Sequence, residues 1–194
     1  MKYIKFIIII LISLTSSIKA EIDKDILASL KEGNKLIFIR HAYAPGGGDP
    51  DNFDINDCNT QRNLSESGRQ QAKNISNFFI ENQINFKKVY SSEWCRCKET
   101  AKIAFGDFET KNFLNSFFSQ KFAKNRKKQM NDLNNFVDNY KDDGNLVFVT
   151  HYVVISEALN YAPNSGEIVV ADKKFNKISS FKIKKQQLFF PNKN

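Results

Sequence analysis

Histidine and cysteine are both rare in this chain of 194 residues. The two histidines are His41 and His151, and of the three cysteines only Cys95 and Cys97 lie close together. Because there is no second cysteine pair and no histidine nearby, the spacing argues against a structural zinc site. Internal repeats, linkers and low-complexity segments are also missing, so the sequence favours a single folded domain over a repeat architecture.

The long hydrophobic run of the chain stands at its N-terminus. Two lysines precede the apolar segment 6–14, and small and polar residues follow up to Ala20. This order is typical of a secretory signal peptide that is cleaved after about Ala20. The run is shorter than the ~20 residues that cross a bilayer. Ile18, at the third position before the cleavage site, is larger than the usual small residue, so retention of the segment as an uncleaved membrane anchor stays an open alternative. We therefore expect a signal peptide at 1–20, a domain at 21–194 and a periplasmic or secreted location.

The net charge is +8, but the predicted signal peptide holds three lysines and no acid, so the remaining chain carries +5. This excess suits an anionic substrate or an anionic surface. A basic run begins at Lys121 and is either a solvated helix face or a surface that associates with envelope phosphates. No aromatic interleaving or recognisable module supports binding of nucleic acid.

In an oxidising compartment, a disulfide becomes plausible for an exported chain. Cys58 paired with Cys95 or with Cys97 would tie the long loop after His41 to the next strand–helix junction. The alternative is three small buried thiols. The sequence leaves these possibilities open.

Hydrophobic runs alternate with amphipathic segments along most of the chain. Strands are predicted at 35–40, 88–91, 113–114, 145–150, 168–170 and 178–183, with helices at 22–32, 65–82, 93–104 and 151–160 and another after the basic run. Strands that alternate with helices predict a single-domain α/β fold, a doubly wound and mostly parallel sheet with helices on both faces. Ligands bind at the carboxyl ends of the strands in such sheets.

Polar side chains follow three of the predicted strands, namely Arg40-His41, Ser91-Ser92 with Arg96, and Thr150-His151. A neutral imidazole can attack phosphorus, and arginine matches phosphate oxygens with two parallel hydrogen bonds. The pattern therefore predicts a phosphate site in which the second histidine is protonated. A two-histidine metal site with a loop aspartate is the other interpretation, but Arg40 beside His41 would repel a cation.

Four motifs in this order resemble those of the histidine phosphatase superfamily, also called phosphoglycerate mutase-like. They are Arg40-His41, Leu64-Ser65-x-x-Gly68-x-x-Gln71-Ala72, Ser91-Ser92-x-x-x-Arg96-x-x-x-Thr100-Ala101 and Thr150-His151. The resemblance extends over about 35–171 and includes a Ser165-Gly166-Glu167 turn. It implies the phosphoglycerate mutase-like fold, a nucleophilic His41, a phosphate pocket of Arg40, Arg96 and His151, and no metal or nucleotide cofactor.

The chain departs from the family where the proton donor is concerned. Mutases of the family supply a glutamate after the Thr-Ala helix, and the nearest counterpart here is Ser116, which argues against mutase activity. We expect the general acid to come from the aspartates of the 49–57 loop, with Asp49 as the first candidate. A substrate with a good leaving group, such as a phosphohistidine or an acyl phosphate, would need no strong acid.

Two further residues are candidates for binding the substrate, which we expect to be a small phosphorylated molecule. Ser92 follows the second strand directly, and Arg62 precedes the second motif, where it either reaches a second anionic group or is an ordinary loop arginine. The chain is most similar to small exported members, including lipopolysaccharide-core heptose phosphate phosphatases. The resemblance predicts an exported phosphomonoesterase acting through phosphohistidine, with an inactive anion-binding protein of the same fold as the alternative.

Overall fold

The computed structural model describes residues 23–183. The predicted signal peptide at 1–20 lies outside the described residues. Within 23–183, no helix is both long and apolar enough to cross a membrane.

Strands and helices alternate through most of the chain. The strands are β1 (Leu36–Arg40), β2 (Lys88–Ser91), β3 (Glu109–Thr110), β4 (Leu146–Thr150), β5 (Glu167–Ala171) and β6 (Lys177–Lys182). The helices are α1 (Lys24–Glu32), α2 (Glu66–Glu81), α3 (Cys95–Phe105), α4 (Gln120–Ala123), α5 (Arg126–Asp138) and α6 (Tyr152–Leu159).

The six strands form one sheet in the order β3-β2-β4-β1-β5-β6. Strand β4 lies parallel to both β1 and β2, and β2 lies parallel to β3. Strands β5 and β6 run antiparallel to their neighbours and close one side of the sheet. The predicted α/β class with a mostly parallel sheet is confirmed.

Alternate residues of β1 serve opposite faces of the sheet, as the two-residue period of a strand requires. Ile37 and Ile39 pack in one core with residues of α2 and α3. Leu36 and Phe38 pack in a second core with residues of α5 and α6. Both faces of the central strands are therefore buried under helices, which explains why their sequences are continuously apolar.

The structure corrects two local predictions. The strand expected at 113–114 is part of a 3-10 helix, Asn112–Leu114, and the short strand β3 precedes it at Glu109–Thr110. The helix expected at 93–104 begins later, at Cys95, with Trp94 in the cap position. The helix expected at 65–82 is α2, and the Ser65 hydroxyl caps its start by accepting the Gly68 N–H at 3.1 Å.

Candidate active site

The three predicted strand ends meet at one edge of the sheet. The His41 N–H donates to the Thr150 carbonyl at 2.9 Å, and the Ser92 N–H donates to the Val149 carbonyl at 2.9 Å. These bonds continue the ladders of β1 with β4 and of β2 with β4 past their last paired residues. The two histidine rings consequently lie edge to face, with their centroids 5.4 Å apart.

His41 is held in one orientation by the residue that follows it. Its Nδ1 lies 2.9 Å from the Ala42 carbonyl, which can only accept, so Nδ1 carries the proton. The Ala42 N–H in turn donates to the Thr100 hydroxyl at 3.0 Å. This tautomer leaves the lone pair of Nε2 available, and Nε2 is the atom that a nucleophilic histidine would use.

His41 is buried in a strongly cationic environment. Burial, and then the charge of Arg96, hold the pKa of His41 well below its usual value, and the bond to Ala42 opposes them only in part. The imidazole is therefore neutral near pH 7. A neutral ring is the form required for attack on phosphorus.

His151 is oriented by a chain of side chains behind it. The Glu93 N–H donates to the Asn115 Oδ1 at 2.9 Å, which fixes that amide oxygen as an acceptor. The Ser92 hydroxyl donates to the same oxygen at 3.0 Å and lies 2.9 Å from His151 Nε2. Because the hydroxyl hydrogen is used on Asn115, Nε2–H of His151 donates to Ser92.

This arrangement corrects the expected roles of both residues. Ser92 is fully buried behind His151 and does not line the cavity, so it positions the histidine and does not bind substrate. His151 was expected to be protonated, but burial and then the charge of Arg96 hold its pKa well below the usual value. The neighbouring His41 lowers the pKa further, so both rings are neutral.

Arg96 connects the nucleophile to the loop that follows it. The Nε–H of Arg96 lies 3.3 Å from His41 Nε2. The other end of the guanidinium binds the Asp49 carboxylate, with Nη1 at 2.6 Å from Oδ1 and Nη2 at 3.2 Å from Oδ2. The Arg96 side chain is 3% exposed and that of Asp49 is 17% exposed, so this ion pair is largely screened from water.

The pairing of Asp49 disagrees with its expected role as proton donor. Burial raises the pKa of the Asp49 carboxyl, but the hydrogen bond and charge of Arg96 outweigh burial and bring the pKa below its usual value. Trp94 Nε1 and the Arg62 N–H also donate to this carboxylate, at 3.0 and 3.1 Å. An ionised carboxylate that accepts four hydrogen bonds has no proton to give to a leaving group.

A cavity of about 350 Å³ opens beside the histidines. It is lined by three arginines, Arg40, Arg62 and Arg96, and by both histidines. The Nε atoms of Arg40 and Arg62 are buried and have no hydrogen-bond partner among the described residues. Three guanidinium groups around one cavity suit an oxyanion, since arginine matches phosphate oxygens with two parallel hydrogen bonds.

Sequence reasoning missed the aromatic and basic rim of the cavity. Tyr152, Phe118, Trp94 and Phe122 line it together with Lys121. The Arg40 guanidinium lies 5.3 Å from the centre of the Tyr152 ring, so Tyr152 stabilises an arginine of the site by a cation–π contact. Only the position of Trp94 next to the Arg96 motif and the basic run at Lys121 could have signalled these roles.

The motif glycines bring separate segments close behind His41. A Cβ on Gly68 would lie 2.1 Å from the Tyr43 carbonyl oxygen, so α2 can start at this point only with glycine. Gln71 accepts the Tyr43 N–H at 2.9 Å and donates to the Ser165 carbonyl at 2.8 Å. The Gly166 N–H approaches the carbonyls of both residues of the Arg-His pair, at 3.0 and 3.2 Å.

Cys58 and Cys95 form a disulfide, and Cys97 is a buried free thiol. This settles which of the possible pairs forms. The disulfide joins the loop after His41 to the first residue of α3, one position before Arg96. Among residues 23–183 there is no cluster of three or more His, Cys, Asp or Glu that could hold a metal ion.

Comparisons with known proteins relate part of this site to a known family. The model of the histidine phosphatase superfamily (branch 1) matches residues 36–115, which include the first three of the four motifs. None of the curated proteins with which the sequence was compared matches it.

Several solved structures share the fold at low sequence identity. The protein TTHB049 from Thermus thermophilus is 13% identical with a TM-score of 0.55, covering 76% of this chain and 99% of its own. The open reading frame Rv3214 product from Mycobacterium tuberculosis is 15% identical with a TM-score of 0.52, covering 71% and 90%. The protein histidine phosphatase SixA, complexed with tungstate, is 13% identical with a TM-score of 0.52, covering 76% and 96%.

The family match covers the segment that carries His41 and Arg96, and the solved structures share the fold over 76% of the chain. This match supports phosphatase-type chemistry in general terms. Over residues 36–115 the chain is similar to the histidine phosphatase superfamily (branch 1).

Proposed function

We propose that this chain is an exported phosphatase that hydrolyses phosphomonoesters through a phosphohistidine intermediate on His41. One observation carries the proposal: a neutral His41, with its proton fixed on Nδ1, lies in a cavity that is also lined by three arginines. Transfer of a phosphoryl dianion requires a neutral nucleophile, and positively charged side chains around it stabilise the phosphoryl oxygens.

In the first step, the Nε2 lone pair of His41 attacks phosphorus and the bond from phosphorus to the ester oxygen breaks. The leaving oxygen departs with the bonding pair and takes a proton from solvent or from a group of the site. In the second step, water attacks phosphorus, and the N–P bond breaks to release phosphate and restore His41. The arginines stabilise the charge that spreads over the three other phosphoryl oxygens in both steps.

The general acid is the weakest part of the site, since Asp49 is ionised and bound to Arg96. This supports substrates whose leaving group departs easily, such as aryl phosphates, acyl phosphates or phosphohistidine. SixA, which shares the fold, is a protein histidine phosphatase. Asp51 is the other aspartate of the 49–57 loop that lines the cavity, and it is exposed.

A second cavity of about 570 Å³ adjoins the first and gives room for a large leaving group. The two cavities share a wall that is formed by Phe53, Trp94, Ser116, Lys121 and Phe122. The rest of the second cavity includes the side chains of Asn112, Asn125 and Gln129. Aromatic rings with amides suit a polyhydroxylated group, so envelope sugar phosphates are the substrates we propose to screen first.

The test compares the wild-type chain, His41→Ala and a matched surface variant, Lys124→Ala, on a generic aryl phosphate. We expect release of phosphate by the wild type and by Lys124→Ala, and none above background by His41→Ala. Quenching with alkaline detergent during turnover should trap an acid-labile, base-stable phosphoryl group on His41. Equal rates for the wild type and His41→Ala would overturn the proposal.

The alternative function, a phosphate-binding protein without catalysis, makes a different prediction for the same samples. It requires tight binding of inorganic phosphate by calorimetry with no turnover on a panel of aryl, acyl and sugar phosphates. Export is tested separately, by fractionation of cells that express the full chain. Recovery with cytoplasmic markers would contradict the proposed periplasmic or secreted location.

A further inference from the structure

The Asp49–Arg96 pair has a role that neither the family motifs nor the expected proton donor accounts for. We propose that Asp49 is a positioning residue, which clamps the outer end of the Arg96 guanidinium so that its inner edge faces the phosphoryl group on His41. This inference rests on the proposed function, because it assigns Asp49 a part in the same phosphoryl transfer.

The hydrogen bonds of Arg96 can be followed donor by donor. Its guanidinium has five N–H groups in a rigid plane. Nη1 uses both of its hydrogens, on Asp49 Oδ1 at 2.6 Å and on the Arg62 carbonyl at 3.3 Å. Nη2 uses one hydrogen on Asp49 Oδ2 at 3.2 Å, and Nε–H points to His41 at 3.3 Å.

One Arg96 N–H therefore has no partner among the described residues, and it is the second hydrogen of Nη2. In a planar guanidinium this hydrogen lies on the same edge as Nε–H, because Nη2 is the nitrogen trans to Cδ. The Nε–Nη2 edge is one of the two forks by which arginine binds phosphate with parallel hydrogen bonds. Asp49 occupies the other fork. When Nε2 of His41 carries the phosphoryl group, it no longer accepts the Nε–H of Arg96, so the carboxylate and the phosphoryl group can bind Arg96 together.

Asp49 is itself held from two other directions. Trp94 Nε1 donates to Oδ2 at 3.0 Å, and the Arg62 N–H donates to Oδ1 at 3.1 Å. Trp94 is also stacked on Phe53, with ring centroids 5.0 Å apart. The carboxylate is thus a fixed anchor, and rotation of the Arg96 guanidinium away from His41 would break two charge-assisted hydrogen bonds.

The test uses Asp49→Asn with Asp138→Asn as the matched control, since Asp138 is exposed at the end of α5. Two substrates are compared, para-nitrophenyl phosphate with a good leaving group and glycerol 2-phosphate with a poor one. We expect kcat/KM to fall roughly 10- to 100-fold for Asp49→Asn, as for a misplaced binding group, and by the same factor for both substrates. Asp138→Asn should match the wild type.

The equal loss is the decisive feature, because Arg96 acts on the phosphoryl group that both substrates share. A loss confined to glycerol 2-phosphate would show that Asp49 donates a proton and would overturn the inference. Binding of inorganic phosphate is measured by calorimetry on the same variants and should weaken for Asp49→Asn. Tighter binding would show that Asp49 blocks the site, which also overturns it.

The proposed function and this inference can fail separately. If the wild type turns over no phosphoester, the proposed function fails, and the calorimetric comparison still tests whether Asp49 positions Arg96. If circular dichroism shows that Asp49→Asn is unfolded, Trp94→Phe replaces it in both assays. That variant removes one donor to Asp49 and keeps an aromatic ring, so a smaller but equal loss on both substrates is expected, and no loss would overturn the inference.

Discussion

The Nε–H of Arg96 lies 3.3 Å from Nε2 of His41, so the proposed nucleophile and one arginine of the proposed phosphate pocket face each other directly. The same guanidinium reaches Asp49 with its opposite end. Arg96 therefore works through its shape as well as its charge, since an ammonium group cannot bind along two edges at once.

Replacement of Arg96 by lysine tests the importance of that shape. We expect Arg96→Lys to lower kcat/KM on an aryl phosphate by roughly 10²- to 10³-fold, in the range found when one donor to a transition-state oxygen is removed. Arg126→Lys, on an exposed arginine of α5, is the matched control and should change little. Activity of Arg96→Lys within twofold of the wild type would contradict the bidentate role.

The two buried neutral histidines predict acid sensitivity of the fold. The pKa values of both lie below 6.5 in the folded chain, whereas the unfolded chain titrates near that value. Between these values the unfolded state binds more protons, so stability is full above pH 6.5 and falls as pH decreases. Each histidine contributes a slope of about 1.4 kcal/mol per pH unit in that window.

Denaturant unfolding at several pH values between 7.5 and 5 measures this slope. The variant His41→Gln removes one of the two titrating groups and should show a shallower dependence than the wild type. The same lowered pKa keeps His41 nucleophilic below pH 6.5. A stability that rises on acidification through this window would refute the assignment of neutral rings.

Because Cys58 and Cys95 form a disulfide, we predict that reduction changes both phosphate binding at the site and the stability of the fold. It closes a loop of 37 residues that contains Arg62 and ends next to Arg96. Reduction should destabilise the fold by roughly 2–4 kcal/mol and weaken phosphate binding, because the loop loses its tie to α3. Calorimetry with and without reductant measures both effects, and the variant Cys58→Ala should be insensitive to reductant.

We predict that any side chain at Gly68 disturbs the contact between α2 and the backbone of Tyr43. A methyl group at this position would lie 2.1 Å from the Tyr43 carbonyl oxygen, so α2 must move in Gly68→Ala. We expect destabilisation of about 1–3 kcal/mol, as for other overpacked sites. Gly47→Ala is the control for stability, because its added Cβ meets no atom within 4 Å. Equal midpoints of thermal unfolding for the two variants would contradict the close approach.

Much of the fold could be predicted from sequence because the buried strands have a clear pattern. The runs ending at Arg40 and Thr150 are continuously apolar, and both pair in the centre of the sheet as that pattern indicates. The two-residue strand β3 could not be predicted, since Glu109 and Thr110 are exposed and carry no alternation. Its place is set by pairing with β2 and not by its own residues.

The structure brings together most of the predicted residues that follow strands, but it does not support the expected role of the loop aspartate. His41, Arg40, Arg96 and His151 line one cavity because β1, β2 and β4 are neighbours in the sheet. The protonation of His151 depends on burial and on the total charge around it, which sequence does not give.

The loop aspartates look alike in the sequence, and their roles depend on contacts between distant segments. Asp49 is distinguished from Asp51 by its bonds to Arg62, Arg96 and Trp94, and the last two lie more than forty residues away. Ser92 is a similar case, because its position behind His151 follows from the arrangement of two strand ends.

The neutrality of His151 has a consequence for how the site receives its ligand. A phosphate dianion beside this ring would favour the protonated imidazole, since an opposite charge within a few ångströms raises the pKa of a base. Phosphate binding should then be coupled to uptake of a proton, and affinity should increase as the solution becomes more acidic. Calorimetry in buffers with different ionisation enthalpies would show this coupling as a heat that varies with the buffer. The site would thus bind the phosphate anion together with a proton from solvent, and the positive charge of that proton on His151 would balance part of the charge of the phosphate.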